Sequence, residues 1–146
     1  MTIVVGSDHA GFKLKEYLKD RLTAWGHDVE DVGAHSTDSC DYPVFGAAVG
    51  KRVVELGEGA RGVAVCGSGI GISIACNRIG GVRAALVSEP TAAKLSRQHN
   101  DANVLCFGER LIGQAVAEEA LRVWLETPFE GGRHARRVAL LEDERR

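Results

Sequence analysis

No apolar run in this sequence approaches the ~20 residues that a membrane-spanning helix requires, so no membrane partner is expected. An excess of one charge is also missing. The 18 Lys and Arg stand against 20 Asp and Glu, leaving a formal net charge of -2, which gives no electrostatic case for nucleic acid. The four cysteines, at 40, 66, 76 and 106, contain no C-x-x-C pair, and no His/Cys pairs stand at zinc-ligand spacing. Neither a disulfide framework nor a metal centre is therefore expected, and the thiols are read as reduced with at most one chemically active. The first residues enter a strand pattern without the charged lead and apolar core of a signal peptide, which gives the expectation of a cytoplasmic protein. Two familiar phosphate loops are absent as well. Gly-Lys-Ser/Thr never occurs, and Ile72 stands where the dinucleotide fingerprint needs its third glycine.

What remains is a chain of 146 residues, 45% apolar and 26% charged, long enough to bury a core, so residues 1–146 are read as one domain. Ile3, Val4 and Val5 make a first buried-strand pattern. Across residues 12–25, Leu14, Leu18, Leu22 and Trp25 recur at helical spacing, with Lys13, Lys15, Lys19 and Arg21 turned to water and Gly26 as the stop. Residues 29–32 read as a short strand near an edge and 33–42 as a polar loop. Pro43 then opens a helix carrying Val49, Val53 and Leu56. Residues 63–66 and 82–87 read as the third and fourth strands, and Ser88-Glu89-Pro90 starts a helix running to about Gln98. A fifth strand at 103–107, a helix over 112–125, a turn at 127–132 and a basic helix from Arg133 complete the chain. Strands alternating with helices predict an α/β protein, a three-layer α/β/α Rossmann-like domain with a five-stranded parallel sheet.

The stretch from Val63 to Asn77 organises this pattern. A β-branched strand ends in Cys66, glycines follow at 67, 69 and 71, and an apolar helix pattern resumes at Ile72. Strand, glycine turn and helix start together make a cup of backbone N–H groups at a positive helix end, suited to a phosphate or an oxyanion. Cys66 stands at its rim, where a helix N-terminus favours a thiolate. Such glycines can equally serve tight turns, and such a Cys can be a small buried hydrophobe. Ligands of open parallel sheets lie beyond the carboxyl strand ends. Those ends here carry Asp8 and His9, Cys66 with its cup, Ser88 and Glu89, and Glu109 and Arg110, with His99 and Asn100 expected from helix ends near the same rim. Asp8 can also be a helix cap, the histidines can face solvent, and Arg110 can pair with a surface acid. Arg133 and Arg137 share a helix face as i and i+4, either a solvated stripe or a clamp for phosphate.

Five blocks extend this pattern: Gly6-Ser7-Asp8-His9-Ala10-Gly11, Asp41-Tyr42-Pro43, the run from Cys66 to Ala75, Ser96-Arg97-Gln98-His99-Asn100-Asp101-Ala102-Asn103, and Glu130-Gly131-Gly132-Arg133-His134. In order and across nearly the whole chain, they resemble the ribose-5-phosphate isomerase type B family, which includes allose-6-phosphate and galactose-6-phosphate isomerases. The resemblance implies strand order 2-1-3-5-4 and a homodimer, or a dimer of dimers, with active sites shared between subunits. It implies Cys66 as the base that moves a proton between C1 and C2, and His99 as the acid that opens the sugar ring. It implies Asp8 and His9 on the sugar, and the amides of Gly67, Ser68, Gly69, Ile70 and Gly71 on the enediolate. Asn100, Arg110, Arg133 and Arg137 follow as further ligand contacts, the last two on the phosphate. No metal and no organic cofactor are implied. Ser68 stands where many relatives carry Thr, and either hydroxyl can hydrogen-bond. Some relatives use an acidic base later in the loop. Residues 71–76 carry no carboxylate here, so the thiol subtype is the match. Cys40, Cys76 and Cys106 are read as packing.

The leading expectation is an aldose–ketose isomerase that interconverts ribose 5-phosphate and ribulose 5-phosphate. The alternatives keep the chemistry on allose or galactose 6-phosphate, or keep only phosphosugar binding. Binding alone would require neither Cys66 nor His99.

Overall fold

The computed structural model describes residues 1–143. Five parallel strands form one sheet in the order β2-β1-β3-β5-β4: β1 Thr2–Ser7, β2 Asp28–Asp31, β3 Arg61–Cys66, β4 Ala84–Leu86 and β5 Val104–Gly108. The helices are α1 Phe12–Ala24, α2 Tyr42–Leu56, α3 Ile70–Asn77, α4 Pro90–Asn100, α5 Gln114–Glu126 and α6 Arg133–Asp143. No described helix is long and apolar enough to cross a membrane.

Strand side chains alternate between faces, and the core divides accordingly. Ile3, Val5, Val63, Val65, Leu105 and Phe107 face α1, α4 and α5, where Leu18, Ala93 and Trp124 close over them. Val4, Ala64, Cys66, Val104 and Cys106 face α2 and α3, meeting Val49, Val53, Ile72 and Cys76. Small residues bring α2 close on that second face. A Cβ added at Gly62 would lie 2.7 Å from Val49, and one at Gly46 would lie 2.7 Å from Ala75 of α3. Both sheet faces are thus covered by helices, as the alternating pattern predicts.

Several element boundaries differ from those expected. The fourth strand is three residues long. The Arg83 amide donates to the Asn103 side chain, while Val82 and Val87 are buried beyond the strand's ends. The second strand starts at Asp28, and the fifth helix starts at Gln114, after Gly113 as its N-cap. Helix α4 runs on to Asn100 because Asp101 adopts a left-handed φ of 48° and caps it, its carboxylate held by Arg97.

Lys15 is also a correction. Expected on the solvent face of α1, it is fully buried. Its ammonium donates to Asp31 at 2.8 and 3.0 Å and to the Ala34 carbonyl at 2.5 Å, so pairing offsets the cost of burying the charge. The knot ties the segment after β2 to the end of β1, where Ser7 and residues 33–34 exchange backbone hydrogen bonds of 2.7 and 2.6 Å.

Candidate active site

Two separate clefts hold the expected site residues other than Gly69 and Arg133. The first, about 520 Å³, lies at the carboxyl ends of β1 and β3 and is lined by Asp8, His9, Cys66, Gly67, Ser68, Ile70, Gly71 and Arg110, with Ala10, Tyr42 and Leu111. The second, about 350 Å³, is lined by His99, Asn100 and Arg137, with His134, Val138 and Leu141.

Cys66 ends β3 almost fully buried, and its Sγ accepts a hydrogen bond of 3.1 Å from the Gly69 amide. Gly69 is the N-cap of α3 at φ 77°. A Cβ there would lie 2.8 Å from the Phe107 carbonyl carbon and 2.9 Å from the Gly108 nitrogen, so glycine is required for both conformation and space. The neighbouring loop braces the cup: the Glu109 amide donates to the Cys66 carbonyl at 2.9 Å and the Arg110 amide to the Gly67 carbonyl at 3.0 Å. Neither the Gly67 nor the Ser68 amide donates to an acceptor among the described residues. These free donors at a helix start suit an oxyanion.

Asp8 both caps and lines. Its Oδ1 accepts from the Gly11 amide at 3.0 Å, which fixes the single turn at 9–11 that carries His9. That turn presses on β3 so closely that a Cβ at Gly11 would lie 2.5 Å from the Val65 carbonyl. The backbone of Cys40 brackets His9 Nδ1, with its nitrogen at 3.1 Å and its oxygen at 3.2 Å. Cys76 and Cys106 are fully buried. The hydrogen bond to Cys76, then burial, hold the Cys106 thiol well above its ordinary pKa, consistent with an inert packing group.

The expectation that His99 and Asn100 reach the rim beside Cys66 fails within one chain. A crossover helix starts at the carboxyl end of the sheet and returns to its amino end. The last turn of α4 therefore lies at the start of β5, where the Ala102 amide donates to the Ser96 carbonyl at 3.0 Å and the Asn103 amide to the Arg83 carbonyl at 3.0 Å. There His99 meets α6. Arg137 lines the second cleft, and Arg133, one turn earlier, is exposed on the same helix. One chain thus separates Cys66 from His99.

Several neighbours had no role assigned from sequence. The Tyr42 ring lies against Gly71, where an added Cβ would meet it at 2.6 Å. The His134 ring stacks on His99, with centroids 4.4 Å apart and planes 11° apart. Both belong to short blocks that stand out in the sequence, yet the contacts join residues far apart in the chain. Burial, then the charge of His99 and the neighbouring arginines, push the His134 imidazole below its ordinary pKa. His99, Glu130 and His134 bring one potential metal-ligand atom each within 4.8 Å of one another. The near-parallel rings direct their lone pairs side by side, unlike the converging set of a tetrahedral zinc site.

Comparison with known proteins agrees with this architecture. Residues 3–141 match the family described as Ribose/Galactose Isomerase. Ribose-5-phosphate isomerase B of Escherichia coli is 46% identical over 136 residues, covering 93% of this chain and 91% of that protein. The structure of Clostridium thermocellum ribose-5-phosphate isomerase B superposes with a TM-score of 0.96 at 44% identity, covering 99% of this chain and 97% of the other. That of the Mycoplasma genitalium enzyme with bound ribulose-5-phosphate gives 0.95 at 35% identity, covering 98% and 95%. Match length, identity and fold all lead to one conclusion: the chain belongs to the ribose/galactose isomerase family.

Proposed function

We propose that this protein is a ribose-5-phosphate isomerase, one isomerase domain over residues 1–146, with Cys66 as the proton-transferring base. The observation that carries the reading is the Cys66 sulfur at the α3 N-terminus, bonded to the Gly69 amide inside a cup with free amide donors. Removing a proton beside a carbonyl needs a positioned base and stabilisation of the resulting charge, and this corner supplies both. In the forward direction His99 gives a proton to the ring oxygen while the C1 hydroxyl passes its own to solvent water, from which His99 regains one, opening the sugar to the aldehyde. Cys66 then takes the proton from C2. The negative charge passes to the C1 oxygen, held by the amides at 67–71; the C2 hydroxyl gives its proton to that oxygen, and return of the carbon-bound proton from Cys66 to C1 completes the ketose. Asp8 and His9 bind the sugar hydroxyls, Asn100 and Arg110 add ligand contacts, and Arg133 and Arg137 hold the phosphate. Anchoring the phosphate away from the reacting carbons lends binding energy to the chemical step.

The active site is shared in a homodimer, or a dimer of dimers. The separation of the Cys66 cleft from the His99 and Arg137 cleft supports this, because a second copy can bring its His99 end to the first copy's cup. Exposed apolar residues suited to such burial are present at Tyr42, Ile70 and Ile74 near the cup and at Leu140 and Leu141 on α6. A metabolic role on pentose phosphates accords with a cytoplasmic location.

The test is turnover of ribose 5-phosphate against allose and galactose 6-phosphates, with EDTA present, by wild type and Cys66→Ala. The proposal expects a strong pentose preference unaffected by chelation. It also expects loss of turnover in Cys66→Ala by a factor on the order of 10³ or more with near-normal ligand affinity. Preference for a hexose phosphate would keep the mechanism and replace the substrate. Wild type that binds phosphosugar without turning it over would make the protein a binder.

A further inference from the structure

We propose that His134 is a positioning residue for ring opening: its imidazole is the platform that fixes the plane of the His99 ring. The inference rests on the isomerase reading above and deepens it. Two consecutive left-handed glycines, Gly131 at φ 69° and Gly132 at φ 56°, turn the chain sharply into α6. The Glu130 amide donates to the Gln98 carbonyl at 3.1 Å, tying this turn to the last turn of α4. His134, one residue into α6, is thereby placed face to face with His99 at 4.4 Å. The platform is the fixed member of the pair, since the His134 side chain is 10% exposed, whereas the His99 side chain keeps 41% exposure.

The surroundings give the two rings different tasks. Glu130 Oε1 lies 3.6 Å from His134 Nε2 and 4.0 Å from His99 Nε2, so one carboxylate serves both edges. Arg133 and Arg137 of α6 lie close enough to disfavour a cation on His134, and burial acts in the same direction. His134 thus supplies a flat, neutral surface, and His99, open to the cleft, is free to exchange a proton with a sugar. A half-exposed imidazole with no stacked neighbour would sample several χ angles. Holding it in one plane removes that entropy cost from the ring-opening step.

The experiment separates ring opening from proton transfer. Ribose 5-phosphate closes to a furanose. Ribulose 5-phosphate is open-chain, because its phosphorylated O5 cannot close a five-membered ring on C2. Solvent deuterium exchange at C1 of ribulose 5-phosphate therefore reports Cys66 chemistry without ring opening. The variants are His134→Ala, which removes the platform, and His134→Phe, which restores a flat ring. The expected result for His134→Ala is a fall in kcat for ribose 5-phosphate of about tenfold or more, with KM and the deuterium exchange rate changed less than about threefold. His134→Phe should recover most of the lost kcat. Equal loss of both reactions in a folded His134→Ala would overturn the proposal, as would an unchanged kcat or a His134→Phe no better than His134→Ala. If His134→Ala does not fold, His134→Phe alone decides: near-wild-type kcat supports the platform, and a tenfold loss contradicts it. Failure of the wild type to turn over ribose 5-phosphate would instead defeat the isomerase reading itself.

Discussion

Lys15 carries a charge into the interior and is the residue on which the first strand end depends. Its ammonium joins Asp31 to the Ala34 carbonyl, and residues 33–34 in turn hold Ser7, one position before Asp8. Burial alone would raise the Asp31 pKa. Hydrogen bonds from Lys15, Lys19 and the Gly33 amide outweigh it and hold the carboxyl below the ordinary carboxylate range. A carboxyl depressed in the folded state stabilises the protein fully above its unfolded pKa, and that contribution is lost as pH falls through the folded pKa. Thermal stability should therefore decline below about pH 4, and Lys15→Met should flatten that decline. The same variant should lose about 3 kcal/mol at neutral pH, the lower end for stripping a buried ion pair, since Asp31 keeps Lys19 as a partner. Urea unfolding at pH 7 and pH 3.5 checks both. An unchanged midpoint at pH 7 would show that the knot contributes nothing.

At the scale of elements, the β3–α3 corner carries the proposed base, and its glycines are not equivalent. Gly69 meets the Phe107–Gly108 peptide and has a positive φ, so Gly69→Ala should both destabilise the fold, by about 2 kcal/mol or more, and move the amide off Cys66. Gly71 faces only the Tyr42 ring, which can swing aside. Gly71→Ala should leave the melting temperature within about 3 °C of wild type and raise KM, because the displaced ring lines the substrate cleft. Thermal melts and steady-state kinetics on the two variants distinguish these effects. This corner was legible in the sequence because strand, glycines and helix start are consecutive and each follows a local rule. The first strand was equally legible, since the apolar run Ile3, Val4 and Val5 reads as buried and is buried. Burial of Lys15 and the stacking of His134 were not, because their partners lie 16 and 35 positions away and no local periodicity encodes them. The reach of α4 was missed for a third reason. His99 is expected at the rim as part of a helix end, whereas a crossover helix ends at the beginning of the next strand.

Across the whole molecule, the sheet separates two groups of residues that the proposed mechanism needs together: Cys66 with its cup of amides at the carboxyl end, His99 with Arg137 at the amino end. In the proposed shared site a second copy of the chain would join them, and exposed apolar residues lie around both clefts. Subunit mixing tests this sharing together with the two catalytic assignments. Cys66→Ala and His99→Ala are each expected to be inactive on ribose 5-phosphate. When the two are unfolded together and refolded as a mixture, half of the dimers contain one of each, and every such dimer holds one site with both groups intact. The mixture should recover about a quarter of the wild-type specific activity. A mixture that refolds into mixed dimers yet stays as inactive as its components would contradict it.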